Sequence, residues 1–174
     1  MLNSLLYVLI YCNYGNSIDS LKGFLLSSLL IVIAGIDLKT HYIYKSTTIF
    51  GIGAFVFIEI IDLLISWQIP WENLLAGALG VIVIGVIVVF TGGMGEGDIE
   101  IALIIGLFLG IKGLMLALFI AFILGGIIAS IFLILKFKER KAEIAFGPYL
   151  AMGAIISLLY STEIINWYIS LMKI

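Results

Sequence analysis

The sequence predicts an all-α fold, a polytopic membrane helical bundle with about six or seven transmembrane helices, one of them short or only partly inserted. Three observations predict it. Hydrophobic residues fill 63% of the 174 positions and charged residues 11%, whereas a soluble domain has roughly 45–50% and about 25%. The mean hydropathy is +1.28, too high for polar groups to cover the apolar surface in water. Uncharged apolar runs also recur between the charges, near the ~20 residues that cross a bilayer core. No internal repeat, low-complexity tract or soluble domain interrupts them, so residues 1–174 form one membrane-embedded domain.

Reading between charges gives the elements in order. The first apolar stretch, Leu2 to about Tyr14, lacks a basic leading region and a small-residue cleavage site, so it reads as a retained helix and not a signal peptide. The second runs from about Ser20 to Ile36, with Lys22 able to snorkel at its start. The third spans about Ser46 to Trp67, and the fourth Asn73 to Phe90. Ile101 to Leu135 is too long for one crossing, and Lys112 between Gly110 and Gly113 marks a division. That predicts a short helix over about 99–111, rising only ~20 Å, and a full one over 114–135. The seventh starts at Pro148, a residue suited to a first helical turn, and runs to about Tyr160. Residues 162–174 either finish it or lie on the interface.

Orientation follows from the basic residues. Lys39, Lys45, Lys136, Lys138, Arg140 and Lys141, six of the nine, fall in two loops separated by four crossings. Those loops share a face, which the positive-inside bias makes cytoplasmic. Trp67 and Trp71 flank the opposite boundary, as an aromatic belt does. The Lys136 to Lys141 run reads as a loop touching anionic lipid. A net charge of -2 gives no electrostatic support for nucleic-acid binding. Cys12, the single cysteine, excludes an intrachain disulfide and a multi-cysteine zinc cluster. No metal and no cofactor is expected.

Most acids have a plain reading. Glu59, Asp62, Glu72 and Glu163 lie near helix ends, where water reaches them, and His41 reads as a wetted interfacial residue. Asp37 and Asp98 differ. Asp37 follows fourteen uncharged residues and ends the second helix; Asp98 closes Gly92-Gly93-Met94-Gly95-Glu96-Gly97 and opens the fifth. Two crossings separate them, so both arrive at the same face and a similar depth. Aspartyl proteolysis wants this arrangement, because two close carboxylates share a proton. One then takes a proton from water while the other polarises the scissile carbonyl. Four glycines in residues 92–97 free the backbone to reach positive φ and approach a substrate strand. An ordinary Gly-rich turn with an Asp favoured by the helix dipole would look the same locally.

Three stretches resemble, in order, the membrane domain of the type IV prepilin peptidases, leader peptidases of the GxGD aspartyl protease class. They are Ile31 to Leu38 around Asp37, Gly92 to Glu100 around Asp98, and Phe146-Gly147-Pro148 through Ala154. The resemblance covers about residues 2–160. It implies Asp37 and Asp98 as catalytic residues, with Gly95, Glu96, Gly97, Glu100, Gly147 and Pro148 as motif or substrate-approach positions. It also implies a prepilin-like protein substrate with a hydrophobic N-terminal helix, cut after a glycine at the cytoplasmic face of the inner membrane. Two departures stand out. Ile43-Tyr44-Lys45 replaces the family's Ile-Pro-Asn, and Glu100 stands where the family commonly has Lys. A carboxylate there favours protonation of the pair by like-charge repulsion. Bifunctional members carry an N-terminal part, often with four zinc-binding cysteines, linked to N-methylation. This chain begins close to the helices that follow that part, so the resemblance implies a peptidase without methyltransferase activity.

Other classes fit the same residues. A preflagellin or signal-peptide-type GxGD protease is the nearest within enzymes. A cation or proton carrier would use Asp37, Glu96, Asp98 and Glu100 as one vestibule, with Glu59 and Asp62 on the far side. A noncatalytic assembly subunit fits if the departures silence the site.

Overall fold

The structure is a computed structural model and describes residues 2–134 and 145–172. Its elements are α1 (Leu2–Tyr14), α2 (Ile18–Thr40), α3 (Lys45–Ser66), α4 (Trp71–Thr91), α5 (Glu96–Ile134) and α6 (Gly147–Met172). Five of these, α2 to α6, are long and apolar enough to cross a membrane. The Lys136 to Lys141 loop of the sequence reading lies outside the described residues.

α1 has the expected bounds, but its 13 residues fall short of the ~20 that a crossing needs. It is held by polar contacts instead. Asn3 Nδ2 and the Tyr7 hydroxyl meet Ser28 Oγ on α2, at 3.3 and 2.6 Å. Asn13 Nδ2 and the Tyr14 hydroxyl donate to the carbonyls of Leu159 and Leu158 on α6.

α2 runs one turn beyond the expected end, so Asp37 sits inside the helix and does not end it. His41 closes the helix in the left-handed region, φ 50°, and donates its N–H to Asp37 O. The uncharged stretch 23–36 set the expectation; helix geometry tolerates Asp37, Leu38 and Lys39 in a final turn that reaches water. At the other end, Lys22 does not snorkel free. Its ammonium lies 2.7 Å from Glu59 Oε1 and 3.6 Å from Asp62 Oδ2 on α3. Glu59, expected in water, is only 8% exposed, because the pairing with Lys22 offsets its loss of hydration. Glu72 and Glu163 are exposed, as expected.

The long apolar run divides close to where the sequence suggests, at Gly110 and not at Lys112. Gly110 has φ 68° and ψ -176° inside α5, a combination open almost only to glycine. The chain reverses there, making α5 a hairpin of helical arms, 96–109 and 111–134. Both arms come back to the start of α6: a Cβ on Gly147 would meet Ile101 Cδ1 at 3.1 Å, and one on Gly125 would meet Phe146 at 2.8 Å. The first arm lies against α4, backbone to backbone. A Cβ at Gly80 would stand 2.5 Å from Ala102 O, the close approach by which small residues join helices where no hydrophobic effect operates. The second arm lies against α6. That helix continues to Met172, so residues 162–172 of the tail left open by the sequence belong to it.

Candidate active site

Three helix ends converge on one cavity of about 310 Å³. The last turns of α2 supply Asp37 and His41, the first turn of α5 supplies Glu96, Asp98 and Glu100, and Phe146 leads into α6. Asp37 and Asp98 both line it although they are 5% and 4% exposed, so their carboxylates meet solvent only through this opening.

Each aspartate is held by one backbone N–H. Gly147 N donates to Asp37 Oδ2 at 3.1 Å, and Gly95 N donates to Asp98 Oδ2 at 3.1 Å. The first bond needs glycine, since a Cβ on Gly147 would stand 2.6 Å from Asp37 Oδ2. Pro148 follows inside the first turn of α6, where its missing N–H costs nothing; Tyr149 N and Leu150 N both bond to Phe146 O. Sequence reasoning placed Gly147 and Pro148 in a motif but not against Asp37, because their separation of 110 residues hides the contact.

The glycine-rich turn departs from expectation. Of its four glycines only Gly92 takes a positive φ, 58°. Gly97 is not open to an approaching strand: the space of its missing side chain is filled by Ile43, within 2.7 Å of an added Cβ. Gly92 and Gly95 do face the cavity and have room. Glu100 also lines the cavity, yet its Oε2 accepts a hydrogen bond from the buried Thr48 hydroxyl on α3. Nothing in the sequence pointed to Thr48. His41 and Lys45 bring basic groups to the same wall, but among the described residues neither Asp37 nor Asp98 has a cation within ion-pair distance. No cluster of three metal-ligating side chains occurs among the described residues.

Two buried carboxylates over one cavity, inside a polytopic helical bundle, are the features of a membrane aspartic protease. Comparison with known proteins gives the family. A model of the type IV leader peptidase family matches residues 24–130, a span that contains both aspartates, and the chain belongs to that family. It is similar to the prepilin leader peptidase/N-methyltransferase of Bacillus subtilis (strain 168), 30% identical over 91% of this chain and 63% of that protein. Proteins of the same name from Xanthomonas campestris pv. campestris and Neisseria gonorrhoeae are 25% and 26% identical over 97% and 98% of this chain, and 60% of their own length. The chain thus spans about 60% of the curated relatives it matches. No solved structure matches it.

Proposed function

We propose that this chain is an intramembrane aspartyl endopeptidase that removes the basic leader from type IV prepilin-like substrates. One observation carries the reading: two buried aspartates on different helices, sixty-one residues apart in sequence, line a single cavity, each held by a backbone N–H. The pair works with one proton between them. The ionised carboxylate takes a proton from water, whose oxygen bonds to the scissile carbonyl carbon. The protonated carboxyl donates to the carbonyl oxygen as it gains charge. Collapse of the tetrahedral species then breaks the C–N bond, and a carboxyl proton passes to the leaving amine. The Gly147 and Gly95 N–H groups hold one oxygen of each aspartate, leaving the other for water and carbonyl.

A substrate with a basic leader and an apolar helix suits the surroundings. Its helix lies among the lipid-facing helices, and Glu96 and Glu100 on the cavity wall attract the leader. Lys39 and Lys45 near the cavity support a cytoplasmic placement of this end in the inner membrane. The region described here is assigned leader cleavage alone; methyl transfer is not assigned to it. A carrier is disfavoured because Lys22 already occupies Glu59 and Asp62, the acids its far side would need.

The test is coexpression with a type IV prepilin. The wild type should convert the precursor to a faster-migrating form on a gel, and Asp37→Asn or Asp98→Asn should not. Conversion by either variant at near wild-type rate would overturn the mechanism.

A further inference from the structure

The two aspartates belong to different parts of the bundle, and one residue joins the parts. Asp98 rides on the first arm of α5, which is locked to α4 by the close backbone approaches at Gly80 and at Gly106 against Ala76. Asn73 Nδ2 on α4 adds a 2.6 Å bond to Leu107 O near the end of that arm. Asp37 is tied to the start of α6 through Gly147 N, and α6 is locked to the second arm. Gly153 sits against Ala117, and Ser157 Oγ donates to Gly113 O at 2.8 Å. Each arm thus has its own partner helix and its own polar latch, one on either side of Gly110. Among the described residues, α4 and α6 share no close backbone approach.

We propose that Gly110 is the hinge between these two bodies, and that its setting positions Asp98 against Asp37. The inference rests on the peptidase reading for its consequence but not for its geometry. Gly110 holds φ 68°, ψ -176° at the apex of the hairpin, beside the cavity of about 250 Å³ lined by Glu72, Asn73 and Ser157. The cavity leaves room at the apex itself. Twelve residues separate it from Asp98, a lever of about 18 Å at 1.5 Å per residue. A rotation of about 10° at such a lever moves its end by roughly 3 Å. The seam that must shift lies within the hydrophobic core that both arms share, and includes Ile101 against the Gly147 backbone, and Leu29 and Ile104 at Gly51 of α3. Gly110 is a positioning residue, acting through the arm and touching no substrate.

The experiment places spin labels at Val89→Cys on α4 and Met152→Cys on α6, both exposed, in a Cys12→Ser full chain in nanodiscs. Electron–electron distance measurements are paired with cleavage of a synthetic prepilin peptide comprising the leader and first apolar helix. Alanine at Gly110 meets no hard clash, only the end of the Glu72 side chain at 3.4 Å, but cannot hold the observed φ and ψ. Gly110→Ala should therefore shift the label distance by several ångströms and lower kcat about 100-fold, the cost of an ångström-scale misplacement, with KM changed far less. Gly126→Ala, where an added Cβ meets nothing, should change neither. A Gly110→Ala chain with the wild-type distance, or with a shifted distance and wild-type kcat, overturns the hinge. If that variant is not recovered folded, the wild-type chain is measured with and without the peptide, and one narrow, unchanged distance distribution overturns the proposal equally. A distance shift in Gly110→Ala together with a wild type that cleaves no prepilin would sink the peptidase reading and leave the hinge standing.

Discussion

Both ends of the bundle bury acids, and they treat them in opposite ways. At one end Glu59 and Asp62 share the Lys22 ammonium, with the Glu59 carboxylate 2.7 Å away. At the other end Asp37 and Asp98 are as deeply buried, but backbone N–H groups hold them and, among the described residues, no cation pairs with them. Burying a carboxylate is costly unless it is paired or keeps its proton. The shared ammonium ties α2 to α3 and offsets one of the two carboxylate charges, that of the buried Glu59 most closely. On the proposed peptidase function, a pair without a cation over a cavity holds a proton it can exchange, which is what acid–base chemistry requires. Counterion pairing, more than burial, distinguishes the two sets of acids.

The sharpest way to break this contrast is to exchange the consequences of mutation. Asp37→Asn and Asp98→Asn should each lower prepilin cleavage by about 10³-fold or more, as losing one member of a cooperating catalytic set does. Expression, insertion and thermal stability should stay near wild type. Peptide turnover and a thermal melt measure both; a large stability loss without a rate effect would put these residues in the structural class. Because both the fully protonated and the fully ionised pair are inactive, turnover should also fall at both extremes of pH.

Next in size is the opposite end. Lys22→Met leaves two acids without their cation and should destabilise the fold by about 3–5 kcal/mol, while kcat per folded molecule holds. Combining it with Glu59→Gln and Asp62→Asn should recover most of the loss, since replacing a whole buried ionic group is nearly neutral. A double-mutant cycle by denaturation in detergent checks this, and a triple variant no better than Lys22→Met would undo the counterion argument.

How much of this the sequence disclosed divides along a physical line. Spacing along the chain was legible: the bounds of α1, a break within two residues of Lys112 and the delivery of Asp37 and Asp98 to one face all follow from runs of apolar residues and crossing parity. Lateral contacts were not. Lys22 read as a snorkelling end residue because nothing in its own helix shows that Glu59 and Asp62 come round to meet it. Gly147 read as part of a motif, and only folding reveals its N–H against Asp37. Thr48 carried no signal at all, being the last of three hydroxyl residues, Ser46-Thr47-Thr48, in the first turn of a helix. The end of α2 was placed a turn early because charge at a membrane boundary says where water begins, which is not where the helix stops.

Gly147→Ala tests how finely the reactive end is built. The added Cβ would stand 2.6 Å from Asp37 Oδ2, so the carboxylate must move or the N–H bond must lengthen. The space involved is that of one methyl group, and the rest of α6 is unaffected. We expect kcat to fall about 100-fold with a much smaller change in KM and a melting temperature near wild type. Equal losses of kcat and stability would mean that the close approach serves helix packing more than the aspartate.

The smallest effect belongs to Glu100, which falls between the two classes. It lines the reactive cavity, but a hydroxyl from Thr48 holds it in place of a cation. The hydrogen bond orients the carboxylate without cancelling its charge, so Glu100 remains a negative group facing the opening. It should therefore act on a basic leader and not on the bond being cut. Glu100→Gln keeps an acceptor for Thr48 and removes only the charge. A partly exposed charge pair is worth up to about 1 kcal/mol, so KM for a lysine-containing leader should rise by at most about five-fold, with kcat unchanged. The difference should shrink as salt is raised, because screening removes what the substitution removes. A KM effect that persists at high salt would assign Glu100 to shape and not to charge. A fall in kcat instead would bring it into the reacting group and make the unneutralised set three acids in place of two.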